Sequence, residues 1–326
     1  VRAVWYDQQG PAAEVLQFGE LPDPDPGPGE VRVRLRYSGV NPGDTKKRRG
    51  WLGSTMPFPR VVPDSDGSGL IDQIGPGVDQ ARIGQRVWVY NAQSYRPLGT
   101  AAQYTVVPSA LAVDLPNEVD DETAACLGIP GITAHRAVFA DGSVRGATVL
   151  VHGALGAVSS IAAQLAHRAG ATVISTVRRT DDLARLTGPA MARAVALDVT
   201  DPASAIREYA PDGVDRIIEV AFSDNVDLDA AVAGNAAVIA AYATRADRPD
   251  FPFWPMLFNN ITIRLLGSDD FPPEAKGQAA VDLTAAAQAG DLTIPIAEPL
   301  PLEQAAAAHE RVDAGSRRRV LLAIPD

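Results

Sequence analysis

One cysteine, Cys126, stands among 326 residues. No disulfide can form within the chain, and nothing points to a secreted fold stapled by sulfur. Histidine is nearly as scarce. His135, His152, His167 and His309 share no metal-ligand spacing and no Cys-x-x-Cys occurs, so the sequence predicts no structural or catalytic metal site. No run approaches 18 uninterrupted apolar residues, which predicts no transmembrane helix. The first residues, Val1-Arg2-Ala3-Val4-Trp5, lack the long apolar core of a signal peptide, and the expected location is cytoplasmic. Positive charge is also short: 29 basic against 40 acidic residues leave a net charge of -11. Such a chain is expected to be repelled by nucleic acid and by anionic membrane surfaces. A locally basic pocket for an anionic cofactor remains compatible with that balance.

What is present reads as two ordinary globular domains. Apolar residues make up 46% and charged residues 21%, and the length fits two hydrophobic cores. In the first third, Val31, Val33 and Leu35 alternate with Arg32, Arg34 and Arg36, the period of a half-buried strand. The preceding Pro22-Asp23-Pro24-Asp25-Pro26-Gly27-Pro28-Gly29 cannot feed a ladder and predicts an extended surface loop. Short strands near 69–74, 86–90 and 102–107 suggest a compact barrel or sandwich. Near residue 120 the character changes. Apolar strands at 148–152, 172–176, 215–220, 237–241 and 261–266 alternate with helical stretches at 158–168, 206–209, 229–233 and 274–289. This alternation predicts βαβ units and a parallel sheet, an α/β fold. Residues 295–301 then read as extended, 302–314 as helical and 319–324 as a last strand.

The most informative segment is Val149-Leu150-Val151-His152-Gly153-Ala154-Leu155-Gly156-Ala157-Val158-Ser159. An apolar strand runs into a glycine turn that opens a helix. Gly153 suits the tight turn, and Gly156 lets backbone approach a pyrophosphate at the helix N-terminus. Ser159 stands where a third glycine is usual. The alternative is an ordinary βα turn without a ligand. The second strand ends Ile174-Ser175-Thr176-Val177-Arg178-Arg179-Thr180, with no carboxylate for a ribose 2′-hydroxyl. Two guanidinium forks suit a 2′-phosphate instead, so NADPH is the expected cofactor. Two alternatives stand: Arg178 and Arg179 as solvated loop charges, and Asp181 as a displaced ribose ligand.

Several segments, in order along nearly the whole chain, resemble the zinc-independent quinone oxidoreductase (zeta-crystallin-like) branch of the medium-chain dehydrogenase/reductase superfamily. They are Ser38-Gly39-Val40-Asn41-Pro42-Gly43-Asp44-Thr45-Lys46, Val62-Pro63-Asp64-Ser65-Asp66-Gly67-Ser68-Gly69, and Gly84-Gln85-Arg86-Val87. Gly128-Ile129-Pro130-Gly131-Ile132-Thr133-Ala134-His135-Arg136-Ala137, the glycine turn, and Pro301-Leu302-Glu303 through Val320-Leu321-Leu322 follow. Val40-Asn41-Pro42 stands where zinc-dependent relatives carry a Cys-His pair. The resemblance implies a GroES-like β-rich substrate domain over 1–119, completed by 290–326, and a Rossmann doubly wound parallel-sheet domain over 120–289.

The same resemblance implies cofactor contacts. Leu155, Gly156, Ala157 and Val158 match the pyrophosphate turn, Thr133 a helix near it, and Arg178 the position beside the 2′-phosphate, with Arg179 next to it. Ala241, Tyr242 and Ala243 match the nicotinamide side, Leu265, Leu266 and Gly267 the segment meeting the carboxamide, and Asn41 and Lys46 the segment facing the nicotinamide. Three positions depart from the family: Ser159 for glycine, Lys46 where several relatives have tyrosine, and Val199 where many have tyrosine.

Hydride transfer to an electron-poor acceptor, a quinone, is the implied reaction; an alkenal, enone or enoyl reductase and a non-catalytic NADPH-binding protein are the alternatives. Without a metal, developing negative charge needs a donor or a cation. Lys46, Asn41 and Tyr242 are the candidate catalytic residues, with Tyr242 alternatively a pocket wall. Lys46-Lys47-Arg48-Arg49 is read as an attractor for an anionic cofactor or as a solvated loop. Asp44 is expected to cap its segment, the His152 ring to bond backbone, Cys126 to be buried and inert, and Asp64-Ser65-Asp66 to shape a turn. Trp51, Trp88, Phe253 and Trp254 can line an aromatic pocket or fill the core. By resemblance, the strand 261–266 pairs across a two-fold axis in a homodimer.

Overall fold

A computed structural model of the chain describes residues 1–325. The chain folds into two compact units. One comprises Val1–Pro130, Ala280–Gln288 and the described residues from Ile294 onward; the other comprises Gly131–Ala279 and Ala289–Thr293.

In the first unit the strands are β1 (Arg2–Trp5), β2 (Gln17–Glu20), β3 (Glu30–Val40), β4 (Asp66–Ile74), β5 (Arg86–Val89), β6 (Tyr104–Pro108) and β7 (Ala112–Asp114). The second unit adds β8 (Thr148–Val151), β9 (Thr172–Val177), β10 (Ala194–Ala196), β11 (Val214–Glu219), β12 (Ala233–Ala241) and β13 (Thr262–Leu265). The chain then returns to the first unit with β14 (Leu300–Pro301) and β15 (Val320–Ala323).

The first unit is the GroES-like fold. Its main sheet runs β14-β15-β3-β4-β5-β7, with β6 on β3. The alternation read in β3 holds: Val31, Val33 and Leu35 are buried, while Arg32 turns out to a fork on Asp72 at 2.9 and 3.0 Å. Strands β3 and β4 cross closely at Gly69, where a Cβ would lie 2.0 Å from the Arg34 carbonyl oxygen; no larger residue fits there. Trp88 belongs to the core rather than a pocket. It is fully buried, and its Nε1–H donates to Thr284 Oγ1 at 3.0 Å.

The second unit is a Rossmann sheet in the order β10-β9-β8-β11-β12-β13, and every neighbouring pair is parallel. Strands covered on both faces read as continuous apolar runs, and Leu150, Ile174, Ile217 and Ile239 are wholly buried in one cluster. Truncating any of these isoleucines to alanine is worth about 2–5 kcal/mol. The helix Ala157–Arg168 buries a face of Ile161, Leu165 and three alanines, small enough to lie close on the sheet. β13 lies at one edge with Leu265 76% exposed. Among the described residues no helix is long and apolar enough to cross a membrane.

Three local features differ from the sequence expectation. Lys46-Lys47-Arg48-Arg49 ends a helix, Pro42–Arg49, with Pro42 at its first turn and Gly50 left-handed behind it. Proline opening and glycine closing a helix is the usual asymmetry, and it outweighs the repulsion within the basic run. The helix expected at 229–233 starts earlier and runs Phe222–Val232, while Ala233 opens β12. The β1–β2 pairing has no hairpin signature in the sequence, because the helix Ala12–Val15 and its flanking loops lie between the two strands.

Candidate active site

The order of the Rossmann sheet reverses between β8 and β11, and ligands of such sheets bind beyond the carboxyl ends of the strands at that point. The glycine turn lies there. After Val151 the chain bends through Gly153 at φ +63°, a left-handed conformation that favours glycine. Gly156 N–H closes the turn on the Gly153 carbonyl at 2.8 Å. The helix Ala157–Arg168 starts without a side-chain cap, and its first intrahelical bond runs from Ser160 N to Gly156 O at 2.9 Å. Its leading amides are therefore open to an anion. Leu155, Gly156, Ala157 and Val158 are half-buried and so reachable.

Ser159 is more than a small filler. Its hydroxyl donates to the His152 carbonyl at 2.7 Å and lies 2.9 Å from the Tyr242 hydroxyl. With the serine proton on His152 O, Tyr242 is the donor of the second bond. Burial also raises the Tyr242 pKa. The Tyr242 proton is therefore engaged by Ser159. Ala241, Tyr242 and Ala243 follow β12, and Leu266 N–H donates to Ala241 O at 2.9 Å, aligning Leu265-Leu266-Gly267 beside them. Thr133 is buried on the helix Ile129–Phe139.

Arg178 and Arg179 are exposed just past β9. Neither makes a side-chain hydrogen bond or an ion pair among the described residues, although each lies near a carboxylate: Asp224 for Arg178 and Asp198 for Arg179. Asp198 escaped the sequence reading because it follows β10, not β9. Its carboxylate accepts from Thr180 N–H at 3.0 and 3.1 Å and from Thr180 Oγ1 at 2.8 Å. Those bonds, and the Arg179 charge, hold it below the ordinary carboxylate range.

Beneath the turn lies a cluster the sequence did not disclose. The His152 ring bonds side chains rather than backbone: Nδ1 is 2.9 Å from Thr176 Oγ1, and Nε2 is 2.9 Å from Asp229 Oδ1 and 3.7 Å from Glu219 Oε2. Burial opposes charging this ring, but Asp229 and Glu219 outweigh it and raise its pKa. Burial, with Asp229 close by, pushes Glu219 up to about 7 against the pull of His152. His152, Glu219 and Asp229 are metal-ligand residue types with ligand atoms within 4.8 Å of one another. Sequence spacing did not reveal them, because they come from three different elements.

The first unit carries its own buried polar network. Asn41 precedes the helix Pro42–Arg49, and its N–H donates to Asp44 Oδ2 at 2.9 Å, so Asp44 does cap its segment. The Asn41 amide is already engaged. Its Nδ2 donates to Asp66 Oδ2 at 2.8 Å, and its Oδ1 accepts from Arg319 at 2.9 Å. Asn41 thus orients the helix that carries Lys46 and is not a spare donor.

Asp64 and Asp66 do more than shape a turn. Asp66 also accepts from Ile129 N–H at 2.8 Å. Asp64, at φ +72°, takes His309 Nε2 at 3.1 Å and Ser38 Oγ at 3.2 Å. Burial raises Asp66 to about 7, opposed by Arg319, and raises Asp44 to about 6, helped by Asp64. Arg48 is fully buried between the Gly10 carbonyl and Asp313, the latter at 2.8 Å.

Lys46 is half-buried, with Nζ 4.5 Å from the centre of the Trp51 ring. Burial and the nearby Arg49 lower its pKa. Trp51, Phe253 and Trp254 are exposed. Cys126 is buried, and burial raises its thiol to about 11, an inert state.

Residues 27–117 match the alcohol dehydrogenase GroES-like domain. Over 284 residues the chain is 30% identical to the quinone oxidoreductase of Mus musculus, which spans 85% of this chain and 83% of that protein. An NAD-dependent alcohol dehydrogenase structure superposes with a TM-score of 0.87 at 26% identity, covering 100% of both chains. The Escherichia coli quinone oxidoreductase solved in complex with NADPH gives a TM-score of 0.87 at 20% identity, over 99% of this chain and 100% of that one. At that identity the second match speaks to the fold alone.

Proposed function

We propose, from the premise that the chain belongs to the quinone oxidoreductase-like branch of the medium-chain dehydrogenase/reductase superfamily, that this oxidoreductase is zinc-independent and moves hydride from NADPH to a quinone-like acceptor. The observation that carries the cofactor choice is the exposed Arg178–Arg179 pair beyond β9. Neither guanidinium makes a hydrogen bond or ion pair among the described residues, while Asp198 near Arg179 accepts from Thr180 and Asp224 near Arg178 pairs with Arg245. Forked cations of this kind suit a phosphate monoester. The open amides at Ala157 and Val158 and the left-handed Gly153 fit a pyrophosphate. Thr133 is assigned to the pyrophosphate side, and Ala241 to Ala243 and Leu265 to Gly267 to the nicotinamide half.

Bound NADPH would supply the hydride. The chain's part is to position the reactants, exclude water and meet the charge that develops on the acceptor oxygen. Lys46 is assigned that last role. Its lowered pKa makes the ammonium a readier proton donor than a solvated lysine, and a proton it gives to the acceptor oxygen is replaced from water. Asn41 holds the Lys46 helix, and Tyr242 walls the pocket. A homodimer through the β13 edge fits its exposed apolar side chain.

The test is NADPH consumption against a panel of quinones and a panel of α,β-unsaturated ketones. Turnover with quinones, falling about tenfold or more in Lys46→Ala, is the expected result. Tight NADPH binding without oxidation by either panel would favour a binding protein, and unchanged turnover in Lys46→Ala would remove its assigned role.

A further inference from the structure

His152, Thr176 and Asp229 are all fully buried, and they come from the end of β8, from β9 and from the helix Phe222–Val232. Burying such a set rarely gains stability over an apolar trio of similar volume, so its geometry needs another reason. Counting protons supplies one. Thr176 Oγ1 accepts the Gly153 N–H at 3.3 Å. Its own proton has one acceptor among the described residues, His152 Nδ1 at 2.9 Å. With the ring neutral, its proton then sits on Nε2 and is donated to Asp229 at 2.9 Å. One continuous chain of hydrogen bonds thus runs from the first glycine amide of the turn to a buried carboxylate. Glu219, beside it, accepts from Asn225 Nδ2 at 3.1 and 3.2 Å and from the Ala221 amide. The backbone of residue 152 is held as well: its N–H donates to Ile218 O at 3.0 Å and its carbonyl accepts from Ser159.

We propose that the Gly153–Thr176–His152–Asp229 chain is a positioning device for the cofactor: it fixes where the glycine turn leaves the sheet, and so presets the amides that receive the pyrophosphate. The inference rests on the reading that this turn binds NADPH. Thr176, His152 and Asp229 act through the turn and touch no reacting atom. Gly153 leaves β8 with no strand partner for its N–H, and Thr176 supplies that partner from the neighbouring strand. Losing the hydroxyl lets the turn relax into conformers in which its amides no longer converge. Cofactor binding then carries an ordering cost that the native turn has already met, while the hydride step, once the cofactor is seated, is unchanged.

The experiment compares Thr176→Val, Thr176→Ser and Asp229→Asn in the full chain. It reads the NADPH dissociation constant by fluorescence titration, steady-state kcat and KM with a quinone, and bound metal by elemental analysis. Thr176→Val is expected to raise Kd and KM for NADPH about tenfold, with kcat at saturation within about twofold of wild type. Thr176→Ser, which keeps the hydroxyl, is expected to restore wild-type affinity, and Asp229→Asn, which keeps an acceptor oxygen, to fall between the two. Wild-type affinity in Thr176→Val overturns the inference. So does equal weakness in Thr176→Ser, which would mean packing rather than hydrogen bonding, or a loss confined to kcat. A stoichiometric metal that is retained by wild type and lost in Asp229→Asn overturns it too, because the cluster is then a metal centre. A wild-type protein that binds no NADPH refutes the cofactor assignment itself, a result distinct from all of these.

Discussion

Replacing Arg319 with methionine is expected to weaken the first unit in a way that depends on pH. Arg319 is 4% exposed. It donates to Val40 O at 3.0 Å and Asn41 Oδ1 at 2.9 Å, and its other terminal nitrogen lies 3.7 Å from Asp66 Oδ2. Methionine fills much of the volume but removes the hydrogen bonds to Val40 O and Asn41 Oδ1 and leaves a buried carboxylate without its cation. Breaking a buried pair costs about 3–5 kcal/mol. Because 3.7 Å is a charge contact rather than a hydrogen bond, the lower figure applies, and about 3 kcal/mol corresponds to a melting temperature lower by roughly 6–12 °C. Asp66 sets the pH dependence. Burial already raises its pKa to about 7 while Arg319 pulls the other way, so the variant raises it further. A carboxyl whose folded pKa exceeds its unfolded value binds more protons when folded, and it withdraws stability as pH rises from about 4 towards the folded pKa. In the variant that withdrawal continues to higher pH. At pH about 5.5 Asp66 is protonated in both proteins and the loss is smaller; at pH about 8.5 it is full. Thermal unfolding by circular dichroism at both pH values measures this, with the exposed Arg318→Met as control. A shift at high pH no larger than the control's, or an equal shift at both pH values, would refute the reasoning.

Glu219→Gln removes a buried carboxyl raised to about 7, so it should lessen the fall in stability between about pH 5 and 8; urea denaturation across that range checks it, and a slope equal to wild type contradicts it. Arg178→Ala combined with Arg179→Ala should raise KM for NADPH by about 10- to 100-fold while leaving KM for NADH within about twofold. Equal losses for both nucleotides would mean that the arginines serve general attraction rather than the 2′-phosphate. Leu265→Lys places a charge on the exposed β13 edge and should convert a dimer to a monomer, as read by size exclusion with light scattering; a wild-type monomer, or a dimer unaffected by the change, would exclude that edge.

What the sequence disclosed was local. The strand, the glycine turn and the helix Ala157–Arg168 are contiguous, and so is the step from β9 into Arg178–Arg179, so one window of residues held each signal. The caps of the Pro42–Arg49 helix, Pro42 and Gly50, are also local, but the four successive basic residues between them are a poor helix signal because like charges repel. The buried networks were not legible for a different reason. Asp64 meets His309 across 245 residues, Arg319 meets Asn41 across 278, and His152 meets Asp229 across 77. No short motif marks such a pair, and only the fold brings its members together. The partners of Asn41 and Tyr242, namely Asp66 with Arg319 and Ser159, are brought together by the fold in the same way.

The central claim is an NADPH-dependent reductase whose cofactor choice rests on Arg178 and Arg179. The most direct measurement is kcat/KM of the wild-type protein for NADPH and for NADH, taken side by side with one quinone acceptor in excess. The account predicts oxidation of both nucleotides, with NADPH favoured by about tenfold or more. Equal or better use of NADH, or no oxidation of either nucleotide by an acceptor that relatives reduce, would contradict it.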